Sequence, residues 1–169
     1  MPSNKRRQKI DNRSANGPAT IIHIGEEQTV VVSRDEIGSA PPITLLLGSV
    51  RIARQFKHNP PTEAEMENAI TLVEDELFRI HLSIVNGSTL STTDASVRTI
   101  ATTAGVPEQS HMMLSRDMVE QTFNRLAAIV QGRPATMDPI PTTAQFSATL
   151  LILREFMHHL DFAFIEVRS

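Results

Sequence analysis

The chain has 169 residues, 40% hydrophobic and 21% charged, which is the length and mix of one ordinary globular domain with one core. It has no cysteine, tryptophan or tyrosine, which excludes disulfides, thiolate metal centres and thiol nucleophiles and leaves only phenylalanine to stack on bases or sugars. The net charge of −3 is uneven: Lys5, Arg6, Arg7, Lys9 and Arg13 stand against Asp11 alone within residues 1–17, a balance of +4, and the other 152 residues carry −7.

Residues 1–18 hold one strongly apolar side chain after Met1, Ile10, and end in Asn16-Gly17-Pro18. They bury too little to offset their ordering entropy, so they are expected to form a disordered basic tail ahead of a folded domain at 19–169. Counterion release would give such a tail a weak contact with polyanions. No apolar run approaches the ~20 residues of a spanning helix, and the first residues lead into no signal segment, which points to a cytoplasmic protein without membrane contact.

Thr20-Ile21-Ile22-His23-Ile24-Gly25 and Gln28-Thr29-Val30-Val31-Val32-Ser33 are β-branched runs separated by Glu26-Glu27, and they predict a β-hairpin. After Pro41-Pro42, the segment Ile43-Thr44-Leu45-Leu46-Leu47-Gly48 is apolar on both faces and predicts a central, buried third strand. Asn59-Pro60-Pro61 then halts the chain. Thr62 and Glu65 have capping-box spacing, and Met66, Ala69, Ile70, Val73, Leu77 and Ile80 follow with helical periodicity, so an amphipathic helix starts at Thr62 and is closed by Asn86-Gly87. Ser88 to Thr92 is a candidate short strand and Ala95 to Ala104 a candidate short helix. Ser115 is placed to cap a helix carrying Val119, Phe123, Leu126 and Val130. Beyond a loop held extended by Pro134, Pro139 and Pro141, residues 142–160 are apolar nearly all round, the pattern of a helix buried on more than one side. Phe162 to Val167 closes the chain as a strand. The order β-β-β-α-β-α-α-α-β predicts a single α/β domain with a mixed sheet and helices packed on its faces. It is the order of the ribonuclease H-like (actin-like ATPase) fold with one inserted helix.

Particular residues carry a narrower resemblance. Leu45-Leu46-Leu47-Gly48-Ser49-Val50-Arg51-Ile52-Ala53-Arg54-Gln55-Phe56, followed by Asn59-Pro60-Pro61-Thr62-Glu63-Ala64-Glu65, resembles the L-x-L-G-x-V-R-L…F…P-P-T…E stretch of the exopolyphosphatase/guanosine pentaphosphate phosphatase (Ppx/GppA) family. His23-Ile24-Gly25-Glu26-Glu27-Gln28-Thr29 stands where that family has a D-I-G-G-G-S-T phosphate loop. Thr92-Thr93-Asp94-Ala95-Ser96 stands where it has a second loop of the G-x-S-G-T type. The resemblance spans roughly residues 19–168 and is to the second, C-terminal actin-like domain. It implies a cleft built with a first domain that supplies the catalytic glutamate, and magnesium-dependent hydrolysis of terminal phosphoanhydrides of polyphosphate or guanosine pentaphosphate.

The matched loops depart from the chemistry they would need. Phosphate loops use glycines so that successive N–H groups turn toward the anion, with no fixed negative charge nearby. Glu26 and Glu27 replace two of those glycines, His23 stands at the metal-holding aspartate, and Thr92 and Ala95 replace the glycines of the second loop, where Asp94 adds an acid and Ser96 alone keeps a matching hydroxyl. The chain therefore reads as a degenerate, non-hydrolytic relative: a binding or regulatory module with no catalytic residue and no cofactor. A protein partner or a second copy would cover the face left by the missing first domain. The alternative is a residual or partner-completed phosphohydrolase, and magnesium enters only if such activity survives.

Other candidates read more plainly. No spacing forces Glu26, Glu27 and Asp94 to converge, so they read as solvated loop acids rather than a cation site. His158 and His159 are adjacent on a helix, point in different directions, and read as helix C-terminal charges rather than joint ligands. Arg51 is an anion-contact candidate beside Arg54, with surface charge or stem packing the plainer account. Thr44, Ser49 and Ser96 lack a neighbouring histidine and acid, and Met112, Met113 and Met118 read as core or loop filler.

Overall fold

The computed structural model of the protein describes residues 17–169. Residues 1–16, and with them almost all of the expected basic tail, lie outside the described residues. The elements in chain order are β1 (Ala19–Ile24), β2 (Thr29–Arg34), β3 (Ile43–Leu45), α1 (Ser49–Ala53), α2 (Glu63–Phe78), β4 (Thr89–Thr92), α3 (Ala95–Thr103), β5 (His111–Ser115), α4 (Arg116–Val130), α5 (Ala144–His159) and β6 (Phe164–Arg168).

They form one mixed sheet in the order β3-β2-β1-β4-β6-β5. The β1–β2 and β2–β3 pairs are antiparallel, β1–β4 and β4–β6 parallel, and β5–β6 antiparallel. The hairpin, the two later parallel strands and the helices before them match the predicted ribonuclease H-like order. Two elements are additional: the short helix α1, and β5, which puts an antiparallel strand on the sheet's edge beside β6.

Strand periodicity decides which face is covered. Ile22, Ile24, Val31, Leu90, Met112, Leu114, Ile165 and Val167 share the buried face, whereas Ile21, Met113 and Phe164 are each about half exposed on the other. The helices therefore cover one face of the sheet, not both as predicted. α5 is the centre of that layer, packed among α1, α2, α3 and α4, and its Leu150, Leu151, Ile152, Leu153 and Phe156 are fully buried. Each such side chain contributes roughly 1.5–3 kcal/mol of transfer free energy. This is why a sequence apolar nearly all round makes a stable helix here.

Two boundaries differ from the sequence reading. β3 is a three-residue edge strand rather than a central one: Leu45 and Leu47 face the core, but Leu46 between them is exposed. A continuous apolar run here reflects a strand leaving the sheet, not burial on both faces. α2 begins at the predicted capping box, with the Thr62 side chain accepting the Glu65 N–H and Glu65 accepting the Thr62 N–H at 2.9 Å. It ends at Phe78, well before Asn86-Gly87, and a 3₁₀ turn at His81–Ser83 fills the interval. Polar anchors complete the frame. The hydroxyl of Thr20 meets Ser33 at 3.0 Å and Ser88 at 2.7 Å, tying the start of β1 to the end of β2 and the entry to β4. The Arg125 guanidinium forks onto Asp138 at 2.6 and 2.9 Å, pinning the proline-rich loop to α4 and holding the Asp138 carboxyl below the usual carboxylate range. Among the described residues no helix is long and apolar enough to cross a membrane.

Candidate functional site

The two matched loops meet at one end of the sheet because β1 and β4 are adjacent and parallel. Residues 25–28 follow the C-terminal end of β1, and Thr93-Asp94 follows that of β4. The position is the crevice outside strand carboxyl ends, where open α/β sheets place ligands.

The link between the loops is Asp94. Its buried carboxylate meets His23 Nδ1 through Oδ1 at 2.5 Å and accepts the Ile24 N–H through Oδ2 at 2.7 Å, while its own N–H donates to Thr92 Oγ1 at 3.1 Å. Asp94 is also the N-cap residue of α3, yet its side chain caps nothing there because both oxygens are turned toward β1. His23 lies on the uncovered face with its ring largely exposed.

The first loop is used as a structural cap. The Gly25 N–H donates to the Gln28 carbonyl at 3.0 Å and closes the turn. The Gly25 carbonyl then accepts the Ser49 N–H, and the Glu26 carbonyl accepts those of Val50 and Arg51, all at 2.9–3.0 Å. These are N-terminal amides of α1, groups that an incoming anion would otherwise find free. Gly48 permits the contact: a Cβ on it would lie 2.2 Å from the Glu26 oxygen. Thr29 is fully buried and donates its hydroxyl to the Leu47 carbonyl at 2.8 Å, so it too braces the loop. Among side chains, Glu26 and Gln28 are exposed, and Glu27 forms a two-point pair with Arg54 at 2.7 and 3.1 Å. The carboxylates of Glu27 and Asp94 thus turn to different partners, and Glu26, Glu27 and Asp94 build no common ligand set among the described residues. Arg51 is exposed on α1 and forms no ion pair among them.

The second loop leaves more open. Thr92 is buried, and Ala95 and Ser96 are exposed at the start of α3. Ser96 lines an open hollow of about 240 Å³ with Ser49, Thr99, Gln145, Phe146 and Thr149. The residues come from α1, α3 and α5, at or near their N-terminal ends, and none is charged. Hydroxyls, one amide side chain and the Phe146 ring give the hollow an uncharged lining.

The architecture has counterparts among solved structures. No family model matches the sequence, and no curated protein matches it. The Ppx/GppA phosphatase of Aquifex aeolicus, type II variant, superposes with a TM-score of 0.73 at 17% identity over 91% of this chain and 54% of that one. The fold is that of the Ppx/GppA phosphatases. An exopolyphosphatase from Cytophaga hutchinsonii superposes with a TM-score of 0.71 at 12% identity over 92% of this chain and 54% of that one. The chain therefore spans about half the length of these structures, the half that forms their C-terminal domain.

No spacing in the sequence joined the two loops, and sequence reasoning missed both the His23–Asp94 contact that links them and the Glu27–Arg54 pair. It also missed a second cluster on the far side of the molecule, where Glu74 of α2 meets Glu155 and His159 of α5. The four-residue spacing of Glu155 and His159 was its one visible sign.

Proposed function

We propose that the chain is a non-catalytic binding or regulatory module on a Ppx/GppA-type fold, working in the cytoplasm and binding a phosphate-bearing ligand weakly or not at all. The observation that carries this reading is the use of the first loop's carbonyls to cap α1, together with the commitment of Asp94 to His23 and Ile24. Hydrolysis at such a site needs backbone donors facing the anion and a carboxylate free to hold a metal or a water. Here backbone acceptors occupy the donors, and His23 and the Ile24 N–H of the same chain occupy the carboxylate. Glu26 and Glu27 would each oppose an anion about 4 Å away by ~1 kcal/mol in water-like surroundings. A protein partner or a second copy would complete the module across the face that a first domain would fill. The basic residues 5–13 would add a weak, salt-sensitive polyanion contact.

A second reading rests on one different fact, that the chain spans about half of the structures it resembles. A separate chain carrying the other half would make a composite magnesium-dependent phosphohydrolase acting on polyphosphate or guanosine pentaphosphate. One assay separates the two readings: phosphate release from each of these compounds with magnesium, run beside a binding titration of each. The module reading expects no release above background. Turnover of about 1 per second or more by the chain alone, the low end of ordinary enzyme rates, would overturn it. Turnover that appears only with an added partner would establish the second reading.

A further inference from the structure

At the end of the sheet opposite His23 and Asp94, three metal-ligating side chains meet where α2 crosses α5. Glu155 and His159 are four residues apart on α5, which puts both on one helix face, and Glu74 reaches them from α2. His159 Nε2 lies 3.1 Å from Glu74 Oε1 and 3.3 Å from Glu155 Oε2, and the three donor atoms lie within 4.8 Å of one another. A tetrahedral zinc ion with bonds of about 2.0–2.2 Å holds its donors about 3.3–3.6 Å apart, so the ring nitrogen stands within a few tenths of an ångström of that separation from each carboxylate. We propose that Glu74, Glu155 and His159 form a binding site for a divalent transition-metal ion of the zinc class, with water completing the coordination.

Charge is the second, independent argument. Glu155 is 2% exposed, and a buried carboxylate is costly unless it is compensated. Its neighbour Arg154 contacts one of its oxygens, but the guanidinium fork is spent on Glu120, with Nε to Oε2 at 2.7 Å and Nη2 to Oε1 at 2.9 Å. Glu155 Oε2 is turned away from Arg154 and faces His159 Nε2 at 3.3 Å. With His159 neutral, Glu74, Glu120, Glu155 and Arg154 together carry −2. A protonated His159 cancels half of that, whereas a divalent cation cancels all of it. Imidazole with carboxylates suits zinc, cobalt, nickel or copper, whereas magnesium and calcium favour all-oxygen sites. Hollows on both sides of His159, each also lined by His81, give an ion a route from solvent. The bound ion would tie the middle of α2 to the C-terminal turn of α5, far from the matched loops.

The test is calorimetric titration of zinc into the chelator-stripped full chain, with cobalt as a visible-spectrum reporter of tetrahedral coordination. One zinc per chain is expected, with a shift of the His159 ring nitrogens by NMR and a rise in thermal midpoint. Glu74→Gln, half-exposed and isosteric, keeps the fold and should weaken binding at least tenfold to a hundredfold, the scale on which supporting residues of metal sites act. His159→Ala should abolish binding and His158→Ala leave it unchanged. Absence of zinc binding, or binding that Glu74→Gln and His159→Ala leave intact, overturns the site. If His159→Ala does not fold, Glu74→Gln and the ring shift decide.

Discussion

Gly48 shows how much of this site depends on one missing side chain. Its φ of −149° is open to any residue, so backbone conformation does not require glycine there. Proximity does: a Cβ would sit 2.2 Å from the Glu26 oxygen and 2.5 Å from the carbonyl carbons of Glu26 and Glu27. All three are backbone atoms, so no side-chain rotation relieves the clash. Gly48→Ala must push the β1–β2 turn away from α1 and loosen the three hydrogen bonds that join them. The expected cost is about 2–3 kcal/mol, at the upper end of ordinary overpacking, read as a lowered urea midpoint with an unchanged slope. A cost below roughly 0.5 kcal/mol, the range of neutral surface changes, would mean that the turn does not rest on α1.

The start of α2 carries a pH-dependent contribution that belongs to the element. Glu65 accepts the N–H of Thr62 and the N–H of Lys57, and faces His58 at 3.1 Å. These donors, Thr62 first, lower its pKa to about 2 from an ordinary 4.5. Because the folded value lies below the unfolded one, the stabilisation is complete above about pH 4.5 and is lost as pH falls toward about 2. Glu65→Gln should therefore be less stable than the parent chain by a constant amount at neutral pH, and the two unfolding curves should converge on acidification through that window. Curves that stay parallel down to pH 2 would contradict the assignment. The capping box was legible in sequence because all its information lies within four residues. α1 was not, because five residues cannot sustain a helix alone and its amides are satisfied from residues 25 and 26. β5 did alternate, with Met112 and Leu114 inward and His111 and Met113 outward, but methionine is a weak strand signal and the run read as filler. Likewise Glu155 and His159 announce a helix face, while their partner Glu74 is supplied by tertiary packing alone.

The whole molecule sets the limit on what loop repair could achieve. The sheet is covered on one face, and across its open face runs the row Val32, Ile21, Ser91, Glu166, Met113, apolar at the ends and polar in the middle. The sequence could not reveal this, because strand alternation says that one face is buried but not whether helices cover the other. Beside that sheet, the matched loops belong to a chain that spans about half the length of the structures it resembles. Replacing Glu26 and Glu27 with glycine would remove two repulsive charges of ~1 kcal/mol each and so tighten phosphate binding by about tenfold to thirtyfold. It would also release Arg54 from its pair with Glu27. It would not free the amides of Val50 and Arg51, which are held by the backbone carbonyl of residue 26 whatever its side chain, nor release Asp94 from His23 and Ile24. The Glu26→Gly/Glu27→Gly variant, checked for its thermal midpoint because each glycine adds roughly 0.5–1 kcal/mol of ordering cost, should thus bind phosphate better and still release none from polyphosphate with magnesium. Recovery of turnover in that variant would show that charge alone silences the site and that the carbonyl cap is no obstacle to chemistry.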